Sequence, residues 1–224
     1  MTPAELTGRV RTHIVDLEDP VAALHRHAAD SFRALRRAAA TDGLDLVPVS
    51  AFRDFDRQLS IWNRKWNGQT PLNDAQGKPL DPASLSEFAR IDAILRWSAL
   101  PGASRHHWGT DLDLIDRRAL PSGYQVQLIP AEYAASGSFA ALTQWLESNA
   151  SRFGFFRPFR GPLSGVHPEP WHFSFAPVAE PARRLLTPAL LREALQAADL
   201  AGKQPVLARL DELHARYVAS IDWP

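Results

Sequence analysis

The chain has 224 residues, 45% hydrophobic and 22% charged, with a formal net charge of 0. This ordinary globular composition excludes a disordered or fibrous chain, and its length supports one full hydrophobic core, with one domain favoured over two. The charge balance removes any electrostatic case for nucleic acid or an anionic membrane as partner.

Cysteine is absent. The fold therefore has no disulfides, any metal site must use nitrogen and oxygen donors, and a reducing compartment fits. The N-terminus, MTPAELTGRVRTHIVDLEDP, carries no apolar run of signal-peptide length, and no segment reaches the length of a membrane span. If Met1 is the natural start, the expected location is cytoplasmic; if the chain is trimmed, it is periplasmic or exported.

Residues 9–17 alternate weakly and read as a short strand. Asp19-Pro20 then reads as the cap and first turn of a helix running to about residue 40, with Val21, Leu24, Ala28, Phe32, Leu35 and Ala39 on one face. His25 and His27 fall on this helix and read as surface residues. Thr41-Asp42-Gly43 breaks it, residues 44–49 form a strand, and residues 54–66 form a second helix. Residues 68–84, rich in Gly, Pro, Asn and Asp, form a loop or flap. Ser84 or Ser86 caps the next helix, which Pro101-Gly102 ends. Residues 110–115 read as a strand, 132–150 as a helix that Gly137 can interrupt, 152–162 as an aromatic, basic turn region, and 171–175 as a last short strand. Residues 188–198 and 205–218 read as two helices of an extension, residues 181–224, packed on a main domain of residues 1–180.

Chemistry gathers at two places. His106 and Asp113 stand seven residues apart around Gly109, which permits a turn sharp enough to bring them together. Imidazole and carboxylate are both zinc donors, and a catalytic zinc commonly takes three protein ligands and one water. Glu169-Pro170-Trp171-His172 offers the third ligand in His172 and a general base in Glu169, placed to take a proton from an attacking water and pass it to a leaving amine. A local His–Asp hydrogen bond is the plainer alternative for the first pair.

With these residues in view, 104–113 resembles the Ser-x-His-x-x-Gly-x-x-x-Asp signature of the zinc D-alanyl-D-alanine carboxypeptidase family, which includes the vancomycin-resistance carboxypeptidases and dipeptidases. Residues 169–172 resemble that family's Glu-x-x-His. The resemblance implies an α+β fold, a small mainly antiparallel sheet flanked by helices. It makes His106, Asp113 and His172 the metal ligands, Glu169 the base, and zinc the cofactor. Ser50, Arg53 and Gln58 resemble the family's Ser-x-x-Arg-x-x-x-x-Gln, which implies Arg53 in the substrate cleft, where a guanidinium suits an oxyanion or a terminal carboxylate. A surface salt bridge to Asp54 or Asp56 is the alternative. Gln58 orients substrate or packs inside.

This chain departs from the family where a small residue usually stands two before the metal aspartate: here it is Asp111, on the same strand face as Asp113. Asp111 adds charge beside the metal, binds another group, or is itself the ligand in a shifted register. His107 lines the cleft or bonds nearby backbone. Ser104 and His167 contact substrate or hold their loops. Trp108 and Trp171, of seven tryptophans, are the two beside the proposed chemistry and read as cleft wall or as cover for the turn.

The expected activity is a metallopeptidase acting at D-alanine in peptidoglycan-derived peptides, with no protein partner implied. An endopeptidase of different specificity is the alternative enzyme, and a zinc-containing module that only holds peptide is the alternative from another class.

Overall fold

The structure, a computed structural model, describes residues 1–161 and 164–223. A short N-terminal helix, α1 (Pro3–Leu6), precedes a hairpin of β1 (Ile14–Glu18) and β2 (Val21–His25), then α2 (Arg26–Thr41), β3 (Leu46–Ser50) and α3 (Phe55–Trp66). A two-residue hairpin, β4 (Leu72–Asn73) and β5 (Pro79–Leu80), lies in the loop that follows. Next come α4 (Glu87–Leu95), β6 (Asp111–Asp116), α5 (Pro130–Tyr133), α6 (Ala140–Asn149), β7 (Phe155–Phe156) and β8 (His172–Phe175). Four helices end the chain: α7 (Ala176–Leu185), α8 (Pro188–Gln196), α9 (Lys203–Ala208) and α10 (Leu210–His214).

The main sheet is antiparallel in the order β3-β6-β8-β7. All six residues of β6 are buried, because the sheet is covered on both faces. One hydrophobic cluster joins the sheet to α2 and α6 through residues such as Phe32, Leu114, Phe139 and Phe173. A second joins α3, α4 and the C-terminal helices through Trp62, Ile94, Leu191 and Leu210. The fold is thus the expected α+β arrangement. No helix among the described residues is long and apolar enough to cross a membrane.

Four expectations change. The helix expected from residue 20 starts at Arg26, since Asp19-Pro20 is the turn of the β1–β2 hairpin, with a cis peptide bond. Val21, expected on the buried face, is 85% exposed. His25 is buried, not superficial, because it ends β2 and caps α2, its Nδ1 accepting from the His27 amide. The C-terminal region divides into more helices than expected, and a π-helical turn, Ala215–Ala219, follows α10.

Candidate metal centre and active-site cleft

Strand register assembles the centre. Ser50 lies opposite Asp113 and Asp113 opposite His172, one row across β3, β6 and β8. Asp111 and Ser174 pair two rows along, on the same face of the sheet. His106 comes from the 3-10 turn Arg105–Trp108, which Gly109 closes at φ 66°. That left-handed turn is open to glycine and brings His106 back against β6.

His106 Nε2 stands 3.6 Å from Asp113 Oδ2, and His172 Nδ1 stands 3.2 Å from Asp113 Oδ1. One donor atom from each of His106, Asp113 and His172 lies within 4.8 Å of the others, and all three residues are buried. The far ring nitrogens are engaged: His106 Nδ1 donates to the Ala51 carbonyl at 2.7 Å, and His172 Nε2 donates to Asp111 at 2.8 Å. Each imidazole therefore turns its other nitrogen to Asp113. Asp113 Oδ1 is buried without a hydrogen-bond partner among the described residues. The two oxygens of one carboxylate each face an imidazole nitrogen, and two imidazoles with a carboxylate are donors a catalytic zinc takes, so these residues fit the ion.

Burial opposes charge on His172, but Asp111, Asp113 and Glu169 outweigh it and hold its imidazolium well above the usual range. Burial brings His106 down to about 4. Glu169 Oε2 lies 3.3 Å from His172 Nδ1, and burial raises its carboxyl against the pull of that ring. A metal ion held there would take the place of the second proton of His172.

Arg53 enters the same cavity, where burial lowers its pKa and Asp113 and Glu169 oppose the drop. Its Nη1 donates to Gln58 Oε1 at 2.8 Å and its Nη2 to Ser50 Oγ at 3.0 Å. Its Nε is buried and unpartnered among the described residues. Neither Asp54, which caps α3, nor Asp56, which pairs with Arg9, takes it. Gln58 is fully buried and also donates to Ser98 and the Ala99 carbonyl. It fixes the guanidinium and does not line the cavity.

The cavity, about 290 Å³, has Ser104, Phe159 and Trp171 in its walls. Trp108 is elsewhere: it is fully buried in the helical cluster, its indole donating to the Leu6 carbonyl. His167 stacks on the cavity residue Trp97 at 4.1 Å and donates to its neighbour's carbonyl, outside the lining itself. His107 is fully buried and ties the Arg53 carbonyl to the Gly102 amide. Asp111 sits behind His172, held by Arg105 Nε at 2.9 Å and Ser174 Oγ at 3.0 Å.

Sequence reasoning missed three residues. Lys65, seven residues past Gln58 on α3, lies within electrostatic reach of Glu169 and Arg53, and burial lowers its pKa. That spacing, two helical turns, is a readable signal. Tyr217 and Val218 also line the cavity, and nothing local in the sequence marks them.

The VanY family model, described as D-alanyl-D-alanine carboxypeptidase, matches residues 21–178. Over 103 residues the chain is 44% identical to an uncharacterized protein of Haemophilus influenzae, covering 45% of this chain and 70% of that one. Over 141 residues it is 26% identical to a D-alanyl-D-alanine carboxypeptidase of Enterococcus faecalis, covering 62% of this chain and 42% of that one. Among solved structures, VanYB in complex with D-alanine-D-alanine aligns with a TM-score of 0.52 at 24% identity, covering 83% of this chain and 89% of that one. A VanY D,D-pentapeptidase mutant in complex with Zn(II) aligns at 0.51 and 22% identity, over 85% and 87% of the two chains. At these identities the structural likeness shows a shared fold.

Proposed function

The chain belongs to the VanY family of D-alanyl-D-alanine carboxypeptidases, and on that premise we propose that it is a zinc-dependent peptidase that removes D-alanine from the end of peptidoglycan-derived peptides. The observation that carries this reading is the Glu169 carboxylate, its side chain 14% exposed, beside the His106–Asp113–His172 donor set, with Asp113 Oδ1 lacking a hydrogen-bond partner among the described residues.

His106 Nε2, Asp113 and His172 Nδ1 would hold the ion. When bound, zinc supplies a Lewis acid and lowers the pKa of a coordinated water. Glu169 takes the proton of the attacking water on a carboxylate oxygen and delivers it to the leaving amine. Burial raises its pKa, which makes it a stronger proton acceptor than an ordinary carboxylate. Arg53, fixed by Gln58 and Ser50, keeps its Nε free for the oxygen on which charge develops. The buried walls exclude water and strengthen each of these contacts.

The zinc-loaded protein assayed with D-alanyl-D-alanine and with muropeptides ending in D-alanine tests this reading beside Glu169→Gln. Release of D-alanine by the wild type, lost in the variant while zinc stays bound, is the expected result. No release from any of these substrates, with one equivalent of zinc held, overturns it.

A further inference from the structure

The catalytic cavity lies at a seam. Its sheet side carries Asp113, Trp171 and His172, while its helical side is made by Leu95, Leu100, Val166, Tyr217 and Val218. Tyr217 and Val218 lie beyond the span matched by the family model, residues 21–178. The π-helical turn Ala215–Ala219 brings them there. Such wide turns are uncommon and often mark functional sites, because the extra residue re-aims the side chains that follow.

This wall is fastened in place. Tyr217 Oη donates to Asp92 on α4 at 3.0 Å, and Arg209 and Arg216 reach the same carboxylate. The Gly165 amide donates to the Arg216 carbonyl at 3.1 Å, and a side chain at residue 165 would meet the Tyr217 ring. Asp222 accepts the Arg160 and Gly161 amides, and Trp223 packs edge-on against Phe156 at 4.7 Å. The C-terminal segment therefore straps down the loop that leads to Glu169.

We propose that Tyr217 and Val218 close the substrate cavity on its helical side and set the size of the peptide's leaving residue. The inference rests on the peptidase reading above. Tyr217 and Val218 are each only 7% exposed and belong to the helical core, so a peptide chain cannot pass between them. The chain must enter from the other side, and the residue that meets this wall is the terminal one. At about 290 Å³ the cavity sits at the low end of the range for small-molecule sites, about 300–1,000 Å³, which fits a short chain end with a small side chain.

The test uses the zinc-loaded full chain and N-acylated peptides ending in D-alanyl-D-alanine or D-alanyl-D-leucine. Wild type should prefer the first. Val218→Ala should shift the kcat/KM ratio towards D-leucine by about tenfold, the effect of one or two methyl groups in an apolar pocket. Val218→Ile, which adds a methyl group, should shift it the other way. A folded Val218→Ala enzyme with the wild-type ratio overturns the proposal, as does a wild type that cuts both peptides equally. Should Val218→Ala fail to fold, Val218→Ile decides by the sign of its shift. A wild type that holds zinc and cuts neither peptide sinks the peptidase reading itself, a different result.

Discussion

Asp111 accepts the Nε2 proton of His172 at 2.8 Å, and this contact fixes which nitrogen of that ring faces Asp113. The carboxylate is completely buried and is itself held by Arg105, Ser174 and Thr110. A carboxylate behind a ligating histidine sets the tautomer, orients the ring and makes the nitrogen opposite a better donor.

Replacing Asp111 by alanine leaves all three proposed zinc donors in the chain but frees the His172 ring. Zinc affinity should fall about 10–100-fold, the usual effect of losing such a partner. Competition with a chromophoric chelator measures it without reference to activity. Unchanged affinity would mean that strand packing alone orients His172.

Arg105 and Asp111 form an ion pair that solvent scarcely reaches, 6% and 0% exposed. Removing one member of such a pair leaves the other charged and uncompensated in the interior. Arg105→Met should therefore destabilise the metal-free protein by about 3–5 kcal/mol in urea unfolding. A negligible loss would mean that His172, Ser174 and Thr110 compensate the Asp111 charge without the guanidinium.

The three candidate metal donors could be picked out because two constraints on them are local: Gly109 between His106 and Asp113, and the three-residue step from Glu169 to His172. What joins the two motifs is strand register, Asp113 opposite His172, which sequence spacing does not contain. The hairpin misled for a related reason. Val21, Leu24 and Ala28 satisfy helical spacing, and Asp-Pro serves a helix start or a strand turn equally well. Pairing of Val21 with Glu18 and of His25 with Ile14 decided between them. Trp108 stands beside a ligand's turn yet faces the other core, because a 3-10 turn sends neighbouring side chains in different directions.

Gly109 carries a second constraint besides its positive φ. A Cβ there would meet the Ile14 side chain and, at 2.5 Å, the His25 amide nitrogen, which donates to the Gly109 carbonyl at 2.8 Å. Backbone cannot rotate away as a side chain can. Gly109→Ala should cost more than the roughly 1–3 kcal/mol of left-handed strain alone, and amide hydrogen exchange should rise through both the β1–β2 hairpin and the 105–108 turn. Exchange confined to the substituted turn would show that the hairpin packs independently of it.

His25 ties that hairpin to the pH range of stability. Burial first, then the neighbouring His13 and His27 rings and Arg26, bring its pKa down to about 4 from an ordinary 6.5, while Glu5 pulls weakly the other way. The unfolded chain thus binds a proton at His25 between pH 6.5 and about 4 that the folded chain refuses. Unfolding free energy rises with pH across that window and falls as the solution is acidified, by roughly 3 kcal/mol for the full shift. Burial of His13 and His107 lowers their pKa values too and adds to the same slope. His25→Asn keeps a side-chain acceptor for the His27 amide, since asparagine is a good N-cap, but cannot titrate. Urea midpoints measured from pH 7.5 to 4.5 should fall steeply for the wild type and less steeply for this variant. Parallel curves would assign the acid sensitivity to the other buried histidines.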